Sequence, residues 1–218
     1  MAKTTVRVST PSGHLDVNCW ELPGAEMSPL TCVTVHPWAS LGGSEHNCVG
    51  IARTLASKGV RTITFNLHAS SMVWGILANH RAEVAQVTAV CKWASTRFGG
   101  EIVLFGSSAG APMAGTVLAR LDVVSRMCAV GYTWGWLSSI AFGRHFGPLL
   151  RCPKPKLFVM GAHDEFTSVA TLNAMVRRMR GPSNQVVVEE GVGHFELEQP
   201  EYDDRVAAIV LEWLRASS

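Results

Sequence analysis

Apolar and polar positions alternate with a period of two over Thr4 to Ser9 and again over His14 to Trp20, on either side of Pro11-Ser12-Gly13, which predicts an antiparallel hairpin. Beyond it, short apolar runs and stretches of helical period take turns. Thr31 to Val35, Val60 to Phe65, Glu101 to Phe105, Arg126 to Val130, Lys156 to Met160 and Gln185 to Glu189 read as strands. Asn47 to Lys58, Arg81 to Phe98, Ala109 to Arg120, Ser168 to Met179 and Tyr202 to Arg215 read as helices. In the longest of these, Val84, Val87, Cys91 and Ala94 recur three or four residues apart until Gly99-Gly100 closes the pattern. Such alternation implies a mostly parallel sheet with crossover helices. Ligands of open sheets of this kind bind beyond the C-terminal strand ends, so the chemistry is sought in the loops that follow the strands.

The first such loop is Gly106-Ser107-Ser108-Ala109-Gly110, between the apolar run ending at Phe105 and an Ala-rich helical stretch. This is the pattern of a nucleophile elbow. The turn is tight enough to strain its central residue, and the positions two before and two after it must be nearly free of side chain. Glycines fill both. Ser107 is the alternative nucleophile, but centring the turn there places Phe105 and Ala109 at the flanking positions.

A serine hydroxyl needs a base and an acid to orient that base. Asp164 lies in Gly161-Ala162-His163-Asp164-Glu165, just past a strand end, and is the expected acid, with Glu165 as fallback. His194 lies in Glu190-Gly191-Val192-Gly193-His194-Phe195, past the next strand, and is the expected base in preference to His163. The chain order Ser, Asp, His is that of the α/β-hydrolase triad. Asp203 and Asp204 are read as first-turn residues of the last helix. For the oxyanion hole, the amide of Ala109 is one expected donor. The loop His36 to Ser44 must supply the other, and since Pro37 has no N–H, Trp38 is the candidate. His36 is read as a structural histidine that ties this loop.

His36-Pro37 with Gly42-Gly43-Ser44, then Phe65-Asn66, the Gly106 to Gly110 elbow, Asp164 and His194-Phe195 together resemble the small, capless α/β-hydrolases related to dienelactone hydrolase. The resemblance runs from about Thr31 to the last helix. It implies an α/β-hydrolase fold, with a mostly parallel sheet flanked by helices on both faces and no large cap domain. It also implies ester- or thioester-cleaving chemistry more firmly than it implies a substrate. Two departures stand out. Dienelactone hydrolases proper use cysteine where this elbow has Ser108, which counts against that particular activity. Where the family often carries a glycine-rich Arg-Gly segment, this chain has Leu67 to Gly75.

The aromatic stretch Gly131 to Leu137, running on to Phe142 and Phe146, follows a strand end and is too short for more than a small helix or two. Trp134 and Trp136 are expected to line the substrate pocket, the alternative being that they cap the core. An open site for a small acyl substrate follows.

At 218 residues and 47% hydrophobic, with no linker or repeat, the chain is expected to form a single domain over 1–218. A net charge of +2 gives no electrostatic reason to expect nucleic acid or a membrane as partner; Arg177, Arg178 and Arg180 read as a solvated helix end. The six cysteines are dispersed, without zinc spacing or a C-x-x-C pair, and are expected as buried thiols in a reducing, cytoplasmic setting. No metal or organic cofactor is implied, and the oligomeric state is left open. The reading is a serine hydrolase. The contrasting one is a fold-sharing ligand-binding or interaction module without turnover.

Overall fold

The alternation at the start of the chain forms the expected hairpin, β1 (Ala2–Thr10) against β2 (Gly13–Glu21), in register from Ala2 opposite Glu21 to Thr10 opposite Gly13. In this computed structural model residues 1–39, 42–68, 72–78 and 80–216 are described, residues 72–74 and 137 by their backbone alone. Next in the sheet come β3 (Leu30–Val35), β4 (Arg61–Phe65), β5 (Glu101–Ser107), β6 (Val124–Val130), β7 (Lys156–Gly161) and β8 (Asn184–Glu189). Their spatial order is β1-β2-β4-β3-β5-β6-β7-β8. The hairpin joins through the antiparallel β2–β4 pair, and every other pairing from β4 to β8 is parallel. The middle strands β3, β5, β6 and β7 are buried on both faces, which explains why they read as unbroken apolar runs rather than alternating ones.

Seven helices are seen among the described residues: α1 (His46–Ser57), α2 (Met72–Leu77), α3 (Arg81–Phe98), α4 (Gly110–Arg120), α5 (Trp136–Arg151), α6 (Val169–Arg177) and α7 (Asp203–Ala216). They cover both faces. α1 and α7 bury Ile51, Leu55, Val206, Val210 and Trp213 against Phe105, Val130 and Leu157. α3, α4, α5 and α6 bury Val87, Met113, Leu149 and Leu172 on the opposite face. Ser168 caps α6, its hydroxyl accepting the Thr171 N–H at 3.1 Å, and Asp203 and Asp204 occupy the first turn of α7 as expected.

The Gly131-to-Phe146 stretch departs from expectation: from Trp136 onward it belongs to one 16-residue helix, α5, which runs on to Arg151, rather than to a small helix or two. Gly143, Gly147 and the internal Pro148 hide it in the sequence. Packing overrides those propensities: α5 lies close enough to α4 that a side chain on Gly115 would meet Leu149 Cδ1 at 3.1 Å. All six cysteines are free and buried.

What positions the site is the reversal of winding between β3 and β5. The chain leaves β3 toward α1 and β4 on one side, and leaves β5 toward α4 and β6 on the other, so the loops after these adjacent strands splay apart and open a crevice at their C-terminal ends.

Candidate active site

Ser108 stands directly after β5 with φ +48°, one of two non-glycine residues in the left-handed region among those described. Holding a residue there costs about 1–3 kcal/mol, which the surrounding contacts sustain. The Ser108 N–H donates to Val130 O (2.8 Å), and the Ser108 carbonyl accepts from Ala111 N (3.0 Å) as α4 begins. The flanking glycines are required by contact. A Cβ on Gly106 would lie 2.6 Å from Ala111 Cα, and one on Gly110 only 2.4 Å from Val35 O. The second approach presses the elbow against the end of β3, where the His36 loop begins.

The loops after β7 and β8 bring Asp164 and His194 to this serine. Ser108 Oγ lies 2.8 Å from His194 Nε2, and His194 Nδ1 lies 2.6 Å from Asp164 Oδ2. Asp164 Oδ1 accepts the N–H groups of Phe166 (2.9 Å) and Thr167 (2.8 Å), so the carboxylate is fixed at both oxygens. With a carboxylate on Nδ1, the imidazole carries its proton there and turns a free lone pair to the serine hydroxyl. Gly131 makes room for the ring: its φ is +58°, and a Cβ on it would fall 2.9 Å from His194 Cε1. The alternatives have other places. Glu165 Oε2 accepts the His194 main-chain N–H (3.0 Å), which lowers its carboxyl below the usual range and fixes the loop. Ser107 is buried and donates to Glu198 Oε1 at 2.8 Å, and His163 is exposed.

His36 is buried, with Nδ1–H donating to Pro37 O (2.6 Å) and Nε2 accepting the Leu67 N–H (3.0 Å). A single neutral tautomer satisfies both bonds, and burial pushes its pKa down. The loop it holds continues to Trp38, whose amide, like that of Ala109, has no hydrogen-bond partner among the described residues. Trp38 and Ala109 both line the cavity that contains Ser108. Ser40 and Leu41 of this loop, and residues 69–71 of the divergent Leu67 to Gly75 stretch, lie outside the described residues.

That cavity has a volume of ≈ 320 Å³. Its aromatic walls come from Trp38, Phe142, Phe166 and Phe195, with Asn47, Ser138, Glu198 and Gln199 as polar contributions. Neither Trp134 nor Trp136 lines it, which corrects the expectation for both. Trp134 is buried in the core, stacked on Tyr132 with ring centroids 3.9 Å apart, because its backbone is drawn inward by a hydrogen bond from its N–H to Thr167 Oγ1 (2.8 Å). Trp136 opens α5 on its outer face and is 76% exposed. The first turns of α5, beyond Trp136, carry Ser138, Ala141 and Phe142 to the cavity instead. Reading the stretch as α5 would have singled out Phe142; no signal in the sequence marks Glu198. Among the described residues no group of three or more His, Cys, Asp or Glu side chains is arranged to hold a metal ion, and none of the helices is long and apolar enough to cross a membrane.

No protein-family model matches the chain, and no curated protein matches it. Solved structures do. An α/β serine hydrolase homologue from Coxiella burnetii superposes with a TM-score of 0.79 at 23% identity, over 97% of each chain. A lidless α/β serine hydrolase from Xanthomonas campestris gives 0.79 at 19%, over 99% of this chain and 95% of that one. A dienelactone hydrolase from Anabaena variabilis gives 0.75 at 18%, over 99% and 97%. The chain has the α/β-hydrolase fold.

Proposed function

We propose that this protein is a serine hydrolase that cleaves a carboxylic ester or thioester through an acyl-enzyme intermediate. The observation that carries the reading is the continuous line from Ser108 Oγ through His194 to Asp164, at 2.8 and 2.6 Å, with the serine held in a strained elbow at the mouth of a cavity. The serine hydrolase and esterase names borne by fold neighbours from Coxiella burnetii and Pyrococcus furiosus lend support.

In this mechanism His194 Nε2 takes the Ser108 proton as Oγ attacks the acyl carbon, and the Trp38 and Ala109 amides donate to the oxyanion. Asp164 keeps the imidazole in the receiving tautomer and stabilises the imidazolium. The proton passes from His194 to the leaving alcohol or thiol as its bond to the acyl carbon breaks. Water, deprotonated by the same imidazole, then attacks the acyl-serine, releasing the carboxylic acid and restoring Ser108. The α4 N-terminus beneath the elbow favours negative charge at this point. The volume of the cavity favours short acyl groups, and the buried free thiols favour a reducing, cytoplasmic compartment.

A fluorophosphonate probe tests the assignment, because it labels an activated serine and ignores an inert one. Labelling at Ser108 that disappears in Ser108→Ala is expected. An unlabelled chain would favour a binding module without turnover. A chain-length series tests the scope: kcat/KM should decline from acetyl and butyryl esters to long ones. A pocket that took each further methylene would add about 0.8 kcal/mol per group and show the opposite trend.

A further inference from the structure

Among the described residues fifteen line the cavity at Ser108, and of these only Glu198 is charged. It sits on the short 3-10 turn Glu196–Glu198 that follows His194, half-buried. Its Oε1 accepts the Ser107 hydroxyl, while Oε2 has no hydrogen-bond partner among the described residues. Burial holds this carboxyl above the usual carboxylate range, against the Ser107 bond and the nearby His194, which pull it down. A half-buried carboxylate that lines a cavity and keeps one oxygen without a protein partner can pair with a cation or a donor bound there.

The rest of the lining is suited to a cation. Trp38 and Phe142 meet edge to face with centroids 5.4 Å apart, and Phe166 and Phe195 do the same at 5.6 Å. Aromatic faces attract ammonium groups within about 6 Å, most strongly where water is excluded. Among the described residues no lysine or arginine lines the cavity to compete. Two further carboxylates, Glu165 and Glu196, are held at the main-chain N–H groups of His194 (3.0 Å) and Gly193 (2.5 Å), adding negative potential beside the site. A metal ion is a poor fit, since one carboxylate among aromatic rings offers too few oxygen ligands.

We propose that the cavity selects a substrate carrying an alkylammonium group, with the cation seated among Trp38, Phe142, Phe166 and Phe195 and paired with Glu198. The inference rests on the hydrolase reading for the word substrate, and on the lining alone for the cation. An ester of an amino alcohol is the substrate class this describes: the acyl carbon reaches Ser108 while the ammonium end lies at Glu198. Substrates with a second, anionic carboxylate are disfavoured by the same charge.

Choline and 3,3-dimethylbutan-1-ol have the same shape and hydroxyl and differ in a quaternary nitrogen against a quaternary carbon. Titration calorimetry on the whole chain should find choline binding about tenfold more tightly than its neutral analogue. In Glu198→Gln, whose amide oxygen still accepts from Ser107, that ratio should fall to about threefold or less. The kcat/KM ratio for acetylcholine against 3,3-dimethylbutyl acetate should follow the same pattern, and any general loss of turnover in the variant cancels in the ratio. Equal binding of the two alcohols by the natural chain, or an unchanged ratio in Glu198→Gln, would overturn the proposal. If choline is preferred but neither ester is cleaved and the fluorophosphonate leaves Ser108 untouched, the cation site stands and the hydrolase reading falls.

Discussion

Three histidines lie at almost the same depth in this protein and are treated differently by it. His194, His80 and His145 are 1%, 0% and 1% exposed. His194 has a partner on each nitrogen, the Asp164 carboxylate on one side and the Ser108 hydroxyl on the other. His80 has none on either nitrogen among the described residues; it stacks on Phe142 with centroids 4.9 Å apart and meets the edge of Trp38 at 5.8 Å. His145 pairs Nδ1 with Thr116 Oγ1 at 2.7 Å and leaves Nε2 without a partner among the described residues, its ring 5.6 Å from that of His80. Burial pushes both of these down, His145 to about 4, with the neighbouring His80 and Arg120 charges pushing the same way; Glu83 opposes the shift at His80. Burial by itself makes a histidine a neutral, plate-like core residue. A carboxylate on one nitrogen and a hydroxyl on the other are what equip His194 for the base's role in the proposed mechanism. The second pair is structural in effect, since His80 backs the two aromatic rings, Trp38 and Phe142, that line the cavity.

The strongest test of this contrast is removal of the paired histidine. His194→Ala and Ser108→Ala should each lower kcat for a short-chain ester by about 10⁴-fold or more. His163→Ala, adjacent in sequence to the acid but exposed, should keep most of it. The opposite pattern would mean that the base has been misassigned. A smaller loss is expected at Gly131→Ala, where the added methyl meets the His194 ring at Cε1 (2.9 Å) and Nδ1 (3.1 Å) but removes none of the side chains of the Ser108–His194–Asp164 line. Displacing the ring should cost about 10²-fold in kcat while KM changes little. Unchanged kinetics would show that the ring has slack.

For the unpaired histidines the expected signature is stability rather than rate. A histidine whose folded pKa lies below its unfolded value binds fewer protons when folded. Its contribution is complete above the unfolded value of about 6.5 and is lost as pH falls from there toward the folded value, about 4 for His145. Denaturant unfolding at pH 7 and pH 5 should therefore show a loss attributable to His145 of about 1–2 kcal/mol, which His145→Gln flattens. Identical pH slopes for the natural chain and the variant would refute the assignment. The smallest effect belongs to Trp136. Because it is exposed and lines no cavity, Trp136→Ser should alter stability by no more than about 0.5 kcal/mol and leave ester kinetics as they are.

Much of this site was legible before any coordinates. An elbow requires small residues two positions to either side of its centre, so Gly106 and Gly110 announce Ser108. Strand ends followed by turn residues announce Asp164 and His194, because a parallel sheet delivers its C-terminal loops to one edge. These are local constraints, written within a few residues of the group they place. Trp134, Trp136 and Glu198 are of another kind. Trp134, before α5, is drawn inward by Thr167, 33 residues on, and whether an aromatic side chain on α5 faces cavity or water depends on how that helix packs against α4, where Gly115 meets Leu149. Glu198 reaches the elbow across 91 residues to accept from Ser107, and nothing near it in sequence marks it. The sequence by itself determined the sheet, the elbow and the strand-end loops that carry Ser108, Asp164 and His194, since backbone geometry and strand periodicity are encoded locally. Tertiary structure alone decided which rings and which charge meet in the cavity, because side-chain direction is set by packing between elements that are remote along the chain.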